Sequence, residues 1–368
     1  MRLITTRWNK IARGSSPIWK GLLLAIGIAV VARLLHKIIP GPMLNKAISD
    51  ILIAVVLGLF IRNALRVSES CEAGIKFALE HVLRFGIILL GLRLSLQDVA
   101  ATGGAAMLLV FTCIAVALST AYIIGHLFKI APRLTALIGV GTSICGNTAI
   151  VATAPAVGAK EEEVSFAVAV ITLFGLIAVI IYPMIGHALG LSDTAFGLWA
   201  GTAVNDTSQV VAVGSAYSQT ALNVATIVKL MRNTIMAPLI IMISLLLNNK
   251  TTSEGSSLPS TVPRGGILIP WFVIGFLTMS LIRTIGISAG ILPQDINRPG
   301  TLQVAAFALK GFDEAAKFAI LTALAGVGLG TRLQVVLKIG LKPFTLGLCV
   351  SVVLSIASLS LIMLFGMG

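Results

Sequence analysis

The chain alternates long apolar segments with short polar ones, and this pattern predicts a bundle of membrane-spanning helices. A run of about twenty apolar residues is long enough to cross about 30 Å of hydrocarbon, and the sequence offers about eleven such runs. Lys and Arg concentrate in short loops and at segment ends, as the positive-inside bias requires. The pattern therefore predicts an all-α polytopic membrane protein with about 10–11 transmembrane helices.

Polar residues interrupt two of these apolar segments. The first break lies in residues 137–153, LIGVGTSICGNTAIVAT, and its predicted partner lies in residues 201–212, GTAVNDTSQVVA. Polar groups in hydrocarbon cost several kcal/mol each unless protein partners or a cavity satisfy them. The breaks therefore indicate broken helices that line a site in the middle of the membrane, or else two ordinary kinks with buried hydroxyls.

A helix that stops inside the membrane exposes unpaired N–H groups and a partial positive charge, and such an end binds anions. Hydroxyl and amide side chains around both breaks can add hydrogen bonds to an oxyanion. Lys229 and Arg232 lie three residues apart on one helix face, which favours a role in the same site. The alternative for these two cations is that they snorkel to an interface or pair with an acid. The predicted substrate-binding residues are Thr142, Ser143, Gly146, Asn147, Thr148, Asn205, Thr207, Ser208, Lys229 and Arg232.

Asp206 is the acidic residue of the two breaks, and it is the predicted ion-coupling residue. A carboxylate in a water-poor site can carry a proton, or it can bind sodium together with backbone carbonyls. Either chemistry would couple transport to an ion gradient. The alternative is a structural salt bridge from Asp206 to Lys229 or Arg232.

The order of segments predicts a single transmembrane domain, 1–368, made of two halves. Basic residues precede the first apolar run and predict an uncleaved first span with a cytoplasmic N-terminus, which makes this span an addition to the first half. The first half then covers about 18–190 and the second 191–368, and the polar stretch 248–264 reads as a cytoplasmic loop. Residues 69–83 have the spacing of an amphipathic helix that lies on the inner surface or enters the bundle.

Two pairs of segments within the chain resemble each other in sequence, and we call each pair an echo. Both pairs indicate how the two halves are related. GLRLSLQDV at 91–99 and GLGTRLQVV at 328–336 match in register, and their predicted directions suit inverted repeats. The two polar breaks also match each other sixty positions apart, from Gly141 to Gly201. That second echo is parallel along the chain and does not fit the first echo's scheme.

Composition agrees with the membrane prediction and excludes other classes. The 368 residues are 57% hydrophobic and 11% charged, with a mean hydropathy of +1.01. The net charge of +13 is explained by the loops, so no nucleic-acid partner is expected. The four cysteines have no metal or disulfide spacing, and no cofactor is expected. GTSI at 141–144 superficially matches an intramembrane serine protease, but neither His126 nor His187 has the flanking pattern of a catalytic base, so we expect no enzyme.

The stretches GTSICGNTAIVATAPAVGA and GTAVNDTSQVVAVG, supported by RFGIILLGLRLSL upstream, resemble the YeiH-type sulfate exporter family of bacterial inner-membrane proteins. The resemblance extends from about residue 20 to the end of the chain. It implies a relative of the cation:proton antiporter and anion transporter superfamily, with inverted repeats and broken mid-membrane helices.

Together these observations predict a secondary transporter that exports a small inorganic or sulfonated anion, such as sulfate, sulfite or a sulfonate, across the bacterial inner membrane. Coupling to a proton or sodium gradient through Asp206 is expected. The alternatives are a sodium/proton antiporter, a passive anion channel and, least favoured, an intramembrane protease. The expected partners are the anion, the coupling ion and the lipid bilayer, with a homodimer as one candidate assembly.

Overall fold

The structure is a computed structural model of the full chain. It describes residues 18–38, 49–65, 67–236, 238–240, 242–243, 270–294, 302–332, 334 and 340–367. The predicted cytoplasmic loop at 248–264 lies outside these residues, as does part of the second repeat copy at 328–336.

Within these ranges all regular secondary structure is helical, which confirms the all-α prediction. Five helices are long and apolar enough to cross a membrane: Ile18–Ile38, Ala106–Leu127, Glu161–Ala188, Trp271–Ser288 and Leu341–Leu364. The α-helices in chain order are α1 (Ile18–Ile38), α2 (Asp50–Ala64), α3 (Glu72–Phe77), α4 (Leu83–Leu90), α5 (Leu96–Leu127), α6 (Pro132–Ser143), α7 (Asn147–Thr153), α8 (Glu161–Ala188), α9 (Asp193–Ala203), α10 (Thr207–Tyr217), α11 (Gln219–Thr234), α12 (Trp271–Ser288), α13 (Gln303–Gly330) and α14 (Leu341–Leu364).

The amphipathic stretch predicted at 69–83 enters the bundle. A π-helical segment, Ala78–Val82, joins α3 to α4, so that the two form one rod. Ala78 and Ile87 on this rod are completely buried. The rod therefore packs apolar residues into the bundle, while the side chains of Lys76 and Glu80 stay largely exposed.

Ion pairs and hydrogen bonds mark the two ends of the bundle. At one end Glu72 pairs with both Arg62 and Arg332, which brings together the end of α2, the start of α3 and the residues after α13. We call this end the Arg332 face. At the other end, the Arg93 face, Arg93 follows α4, and the nearby Leu96 N–H donates to Thr284 Oγ1 of α12 at 2.8 Å.

The first polar break is the tip of a helical hairpin, hairpin 1, formed by α6 and α7. A Cβ built on Gly139 or Gly125 would touch α5 or α6 respectively, so α6 runs antiparallel to α5 and starts at the Arg332 face. After the break α7 folds back, because a Cβ on Gly141 would lie 2.9 Å from Ile150 Cδ1. A continuous helix would separate these residues by about 13 Å.

The second polar break is the tip of hairpin 2, formed by α9 and α10. The rings of Phe196, near the start of α9, and Tyr217, at the end of α10, stack with centroids 3.8 Å apart. Tyr217 Oη also donates to Gly186 O near the end of α8, so both limbs of hairpin 2 meet the Arg93 face. Each predicted mid-membrane break is therefore present, and it joins the limbs of a hairpin instead of two halves of a straight span.

The two hairpins enter the bundle from opposite faces. Hairpin 1 is followed by α8, which leads from the Arg332 face to the Arg93 face, and hairpin 2 is followed by α11, which leads back. The sixty-residue echo thus marks two hairpin-and-helix units of opposite direction. The echo that is parallel along the chain is therefore inverted in space, and it pairs other segments than the echo between 91–99 and 328–336.

Close helix packing gives a testable prediction at Gly328. A Cβ there would lie 2.2 Å from the Val55 carbonyl oxygen, so Gly328→Ala forces α13 away from α2. We expect a loss of about 1–3 kcal/mol, the usual cost of overpacking, measured as a lower melting temperature in detergent.

Gly311→Ala is the matched control, because it lies on the same helix and a Cβ there meets nothing within 4 Å. We expect this variant to melt at or slightly above the wild-type temperature, since Ala favours a helix over Gly. Equal melting temperatures for both variants would contradict the proposed close contact of α2 and α13.

Candidate functional site

The tips of the two hairpins touch each other inside the bundle. Gly146, at the tip of hairpin 1, has φ +67°, a conformation that side chains other than glycine's rarely adopt. A Cβ on Gly146 would lie 3.0 Å from Asp206 Oδ2 at the tip of hairpin 2. Glycine is therefore required at this position for two reasons: the positive φ of the turn and the close contact between the tips.

Lys229, on α11, connects the two tips from behind. Its ammonium donates to the carbonyl oxygens of Ile144 on hairpin 1 at 2.5 Å and of Val204 on hairpin 2 at 3.2 Å, and also to that of Asn205. The side chain is completely buried. An ammonium has three N–H donors, so these contacts use all of them.

Arg232 lies one helical turn further along α11 and makes the same kind of bridge. Its guanidinium donates to carbonyl oxygens of both hairpins, and only 1% of the residue is exposed. The acceptors are Thr142 O at 2.7 Å, Gly201 O at 2.8 Å, Ser143 O at 3.1 Å and Val204 O at 3.1 Å.

These carbonyls belong to the ends of α6 and α9, where a helix leaves its last C=O groups without intrahelical partners. The C-terminal end of a helix also carries a partial negative charge, which favours a nearby cation. Lys229 and Arg232 therefore satisfy the hydrogen bonds and the charge of two helix ends at once. This geometry favours a positioning role for both cations over direct contact with a substrate.

Asp206 caps the return limb of hairpin 2. Its Oδ1 accepts from Ser208 N at 2.9 Å and Ser208 Oγ at 2.8 Å, and Gln209 Oε1 accepts from Asp206 N at 3.2 Å. Among the described residues Asp206 has no ion pair with Lys229 or Arg232, so the salt-bridge alternative has no support here. The carboxylate instead offsets the positive end of α10.

A cavity of about 590 Å³ lies beside the tips. It extends from the tips toward the Arg332 face, where its wall includes Thr331 after α13 and Trp271 at the start of α12. The wall opposite the hairpin tips is built by the π segment and α4, and it includes Glu80 and Arg84. A cavity of this size can hold a small ligand and water.

The structure separates the predicted site residues into two groups. The first group lines the cavity: Asn147, Thr148, Asp206, Thr207 and Ser208. The second group is buried behind it: Thr142, Ser143, Asn205, Lys229 and Arg232, with Gly146 at the contact between the tips. Thr142 and Ser143 use their hydroxyls within α6, on Ile138 O and Val140 O, so their side chains contribute nothing to the cavity.

Several cavity residues were not among the predicted site residues. Asn233 is 3% exposed, lines the cavity, and has an Oδ1 atom without a hydrogen-bond partner. Asn233 was visible in the sequence on the same helix face as Lys229, whereas Glu80 and Arg84 were visible only as part of an amphipathic helix. The others include Thr172, Gln209, Trp271 and Phe272.

The protease alternative gains no geometric support. Ser143 Oγ donates to Val140 O inside hairpin 1. His187 stacks on Tyr217 with ring centroids 4.3 Å apart, at the Arg93 face, while His126 stacks on Tyr122 near the end of α5. Neither contact of these histidines involves Ser143.

Comparison with known proteins places the chain in a family. A family model described as Conserved hypothetical protein 698 matches residues 20–347. The chain belongs to this family. It is 33% identical to a UPF0324 membrane protein of Fusobacterium nucleatum over 355 residues, covering 94% of this chain and 98% of the relative. It is 34% identical to a UPF0324 membrane protein of Bacillus cereus over 349 residues, covering 95% of each.

A third relative, a UPF0324 membrane protein of Streptococcus pyogenes, is 35% identical over 349 residues and 95% of its length. These matches confirm the family resemblance found in the sequence and the prediction of a membrane protein. The hairpins, their tips and all the described residues that line the cavity fall within the matched residues 20–347.

The bridging contacts of Arg232 give a second prediction. Arg232→Met should lower the melting temperature in detergent sharply, because each buried carbonyl left without a donor costs about 1–3 kcal/mol. Arg133→Met, which removes the same charge from an exposed position at the start of α6, should leave it nearly unchanged. A normal melting temperature with weakened anion binding in Arg232→Met would instead support direct substrate contact.

Proposed function

We propose that the chain is a secondary transporter that exports a small anion across the bacterial inner membrane. The observation that carries the proposal is the pair of opposed hairpins whose tips meet at the 590 Å³ cavity. Many transporters place their sites between inverted repeats, where broken helices line the middle of the membrane. A helix end at membrane depth is tolerated where it is buried in protein or lines a cavity, and the starts of both return limbs line the cavity here.

The distribution of charge supports the orientation. Exposed cations Lys129, Arg133, Lys160 and Arg332 lie at the Arg332 face, and the positive-inside rule assigns such a face to the cytoplasm. This assignment gives α1 a cytoplasmic start, in agreement with the basic residues that precede it in the sequence. The cavity then extends toward the cytoplasm, where an exported substrate must be loaded.

The chemistry of the tips supports an anion as substrate. The limb α10 directs its N-terminal end toward the cavity, and backbone N–H groups at such an end bind oxyanions. Thr148 and Thr207 add hydroxyl groups at the cavity, and the basic side chains of Lys229 and Arg232 lie buried behind the tips. Sulfate, sulfite and sulfonates are the proposed class, in keeping with the YeiH-type resemblance.

Asp206 is the proposed coupling residue because its carboxylate both lines the cavity and caps α10. A proton or a sodium ion on this group would neutralise its charge and so reduce its repulsion of a bound anion. Binding of the coupling ion and of the anion would then favour each other, which is the linkage that gradient-driven transport requires.

A second candidate, sodium/proton antiport without an anion, is supported by a different observation. The amide oxygens of Asn147 and Asn233 lie at the cavity without hydrogen-bond partners, next to the carboxylate of Asp206. Oxygen atoms of this kind are ligands that hard cations prefer. In this alternative Asp206 binds sodium or a proton directly and no anion moves.

Flux in liposomes tests the proposal. Purified protein should show saturable counterflow of labelled sulfate or methanesulfonate that responds to an imposed proton or sodium gradient. Sodium movement with no anion flux would favour the antiporter instead. Anion flux that never saturates and ignores both gradients would point to a channel.

Asp206→Asn should abolish the dependence on the ion gradient while leaving anion binding detectable, because the amide has no carboxyl proton to exchange and no negative charge to attract a sodium ion. Asp193→Asn is the matched control, since Asp193 is an exposed acid at the start of α9, away from the cavity. Gradient-driven uptake at the wild-type level in Asp206→Asn would remove this residue from the coupling step.

A further inference from the structure

The wall of the cavity that faces the hairpin tips carries its own charged residues. Glu80, in the π segment, and Arg84, on α4, both line the cavity with Asp206. Among the described lining residues Arg84 is the one cation. Of the residues that the structure describes, Arg84 is therefore the one that can offer a ligand in this cavity a full positive charge.

The other two buried cations are already occupied. Lys229 has its three donors on backbone carbonyls, and Arg232 makes four such bonds to the hairpin ends. They lie behind the backbone of the tips and do not line the cavity. A ligand would have to break these bonds to reach them.

Arg84, in contrast, has its guanidinium free. Within the described structure it makes no ion pair or hydrogen bond, while Glu80 lies 3.8 Å from Lys76 Nζ. The guanidinium of Arg84 lies over the ring of Phe272, whose centroid is 5.6 Å from Arg84 Cζ. Stacking on an aromatic ring restrains a guanidinium without using its N–H donors.

The local helix geometry supports a functional role for this wall. The π segment Ala78–Val82 lies directly before α4 and contains Glu80. Single π-helical turns inside α-helices are uncommon and occur frequently at functional sites. Here the π turn joins two α-helical pieces and belongs to the wall opposite the tips.

We propose that Arg84 is the residue that selects the transported anion, by placing an unpaired guanidinium across the cavity from the tips of the hairpins. The ligand class is a small oxyanion with two oxygens on one side, sulfate or a sulfonate, because the planar fork of a guanidinium binds two such oxygens at once. The inference rests on the proposed anion transport and assigns its charged contact to α4 instead of α11.

Binding of labelled sulfate and of labelled methanesulfonate to the purified full-length protein tests this inference. Arg84→Gln should weaken the binding of both by about tenfold or more, since one charge-assisted contact is lost. Arg84→Lys should bind with intermediate affinity, because lysine keeps the positive charge but lacks the planar guanidinium that binds two oxygens of the anion at once. Arg133→Gln removes a cation from the same face outside the cavity and should bind like the wild type.

Melting temperature and size-exclusion profile establish that each variant is folded. Should Arg84→Gln fail to fold, Arg84→Lys decides: intermediate affinity supports the inference, and wild-type affinity overturns it. Wild-type affinity in a folded Arg84→Gln protein also overturns it, and leaves anion transport intact. Absence of anion binding and flux in the wild type overturns the proposed function itself, and this inference with it.

Discussion

The contact between the two hairpin tips depends on two buried cations, which donate hydrogen bonds to the carbonyl groups at helix ends inside the membrane. Hydrocarbon offers no hydrogen bonds, so the last carbonyls of α6 and α9 need partners from the protein. Lys229 and Arg232 supply those partners to both hairpins at the same time. Because each cation holds carbonyls of both hairpins, the two tips are fixed relative to each other as well as being stabilised.

The hydrogen bonds from Lys229 and Arg232 also decide which groups of the tips remain available to a ligand. With the carbonyl ends occupied, the parts of the tips that reach the cavity are the starts of the return limbs and their hydroxyl and amide side chains. The carboxylate of Asp206 accepts the Ser208 N–H at the start of α10. In the proposed mechanism the same residue therefore limits anion binding and can hold a proton or a cation. The cationic side chain left free at the cavity is supplied from the opposite wall by α4.

Because the hairpins are inverted relative to each other, one of them reaches the site from each face of the bundle. Hairpin 1 and α8 repeat as hairpin 2 and α11 with the direction reversed, so each face of the bundle has one hairpin leading to the centre. The cavity is lined by the tips of both hairpins and by the wall made by α4, α12 and the end of α13. A smaller cavity of about 180 Å³ lies toward the other face, between the end of hairpin 2 and residues such as Asp50 and Lys317.

The sequence by itself determined the class of the protein, the two breaks and most of the residues at their tips. These features follow from local rules: apolar length sets a span, and a glycine-rich polar run cannot cross lipid as an ordinary helix. The order of residues also showed the sixty-residue echo and the shared face of Lys229 and Arg232.

Only the tertiary structure decided that each break folds back, that the echo is inverted, and that the cations face carbonyls instead of the cavity. A glycine such as Gly146 permits either a kink or a reversal, and the choice comes from packing of the limbs, as between Phe196 and Tyr217. Arg84 lies more than fifty positions before the first tip, and its role as cavity wall comes from helix packing, a long-range property that no local pattern contains.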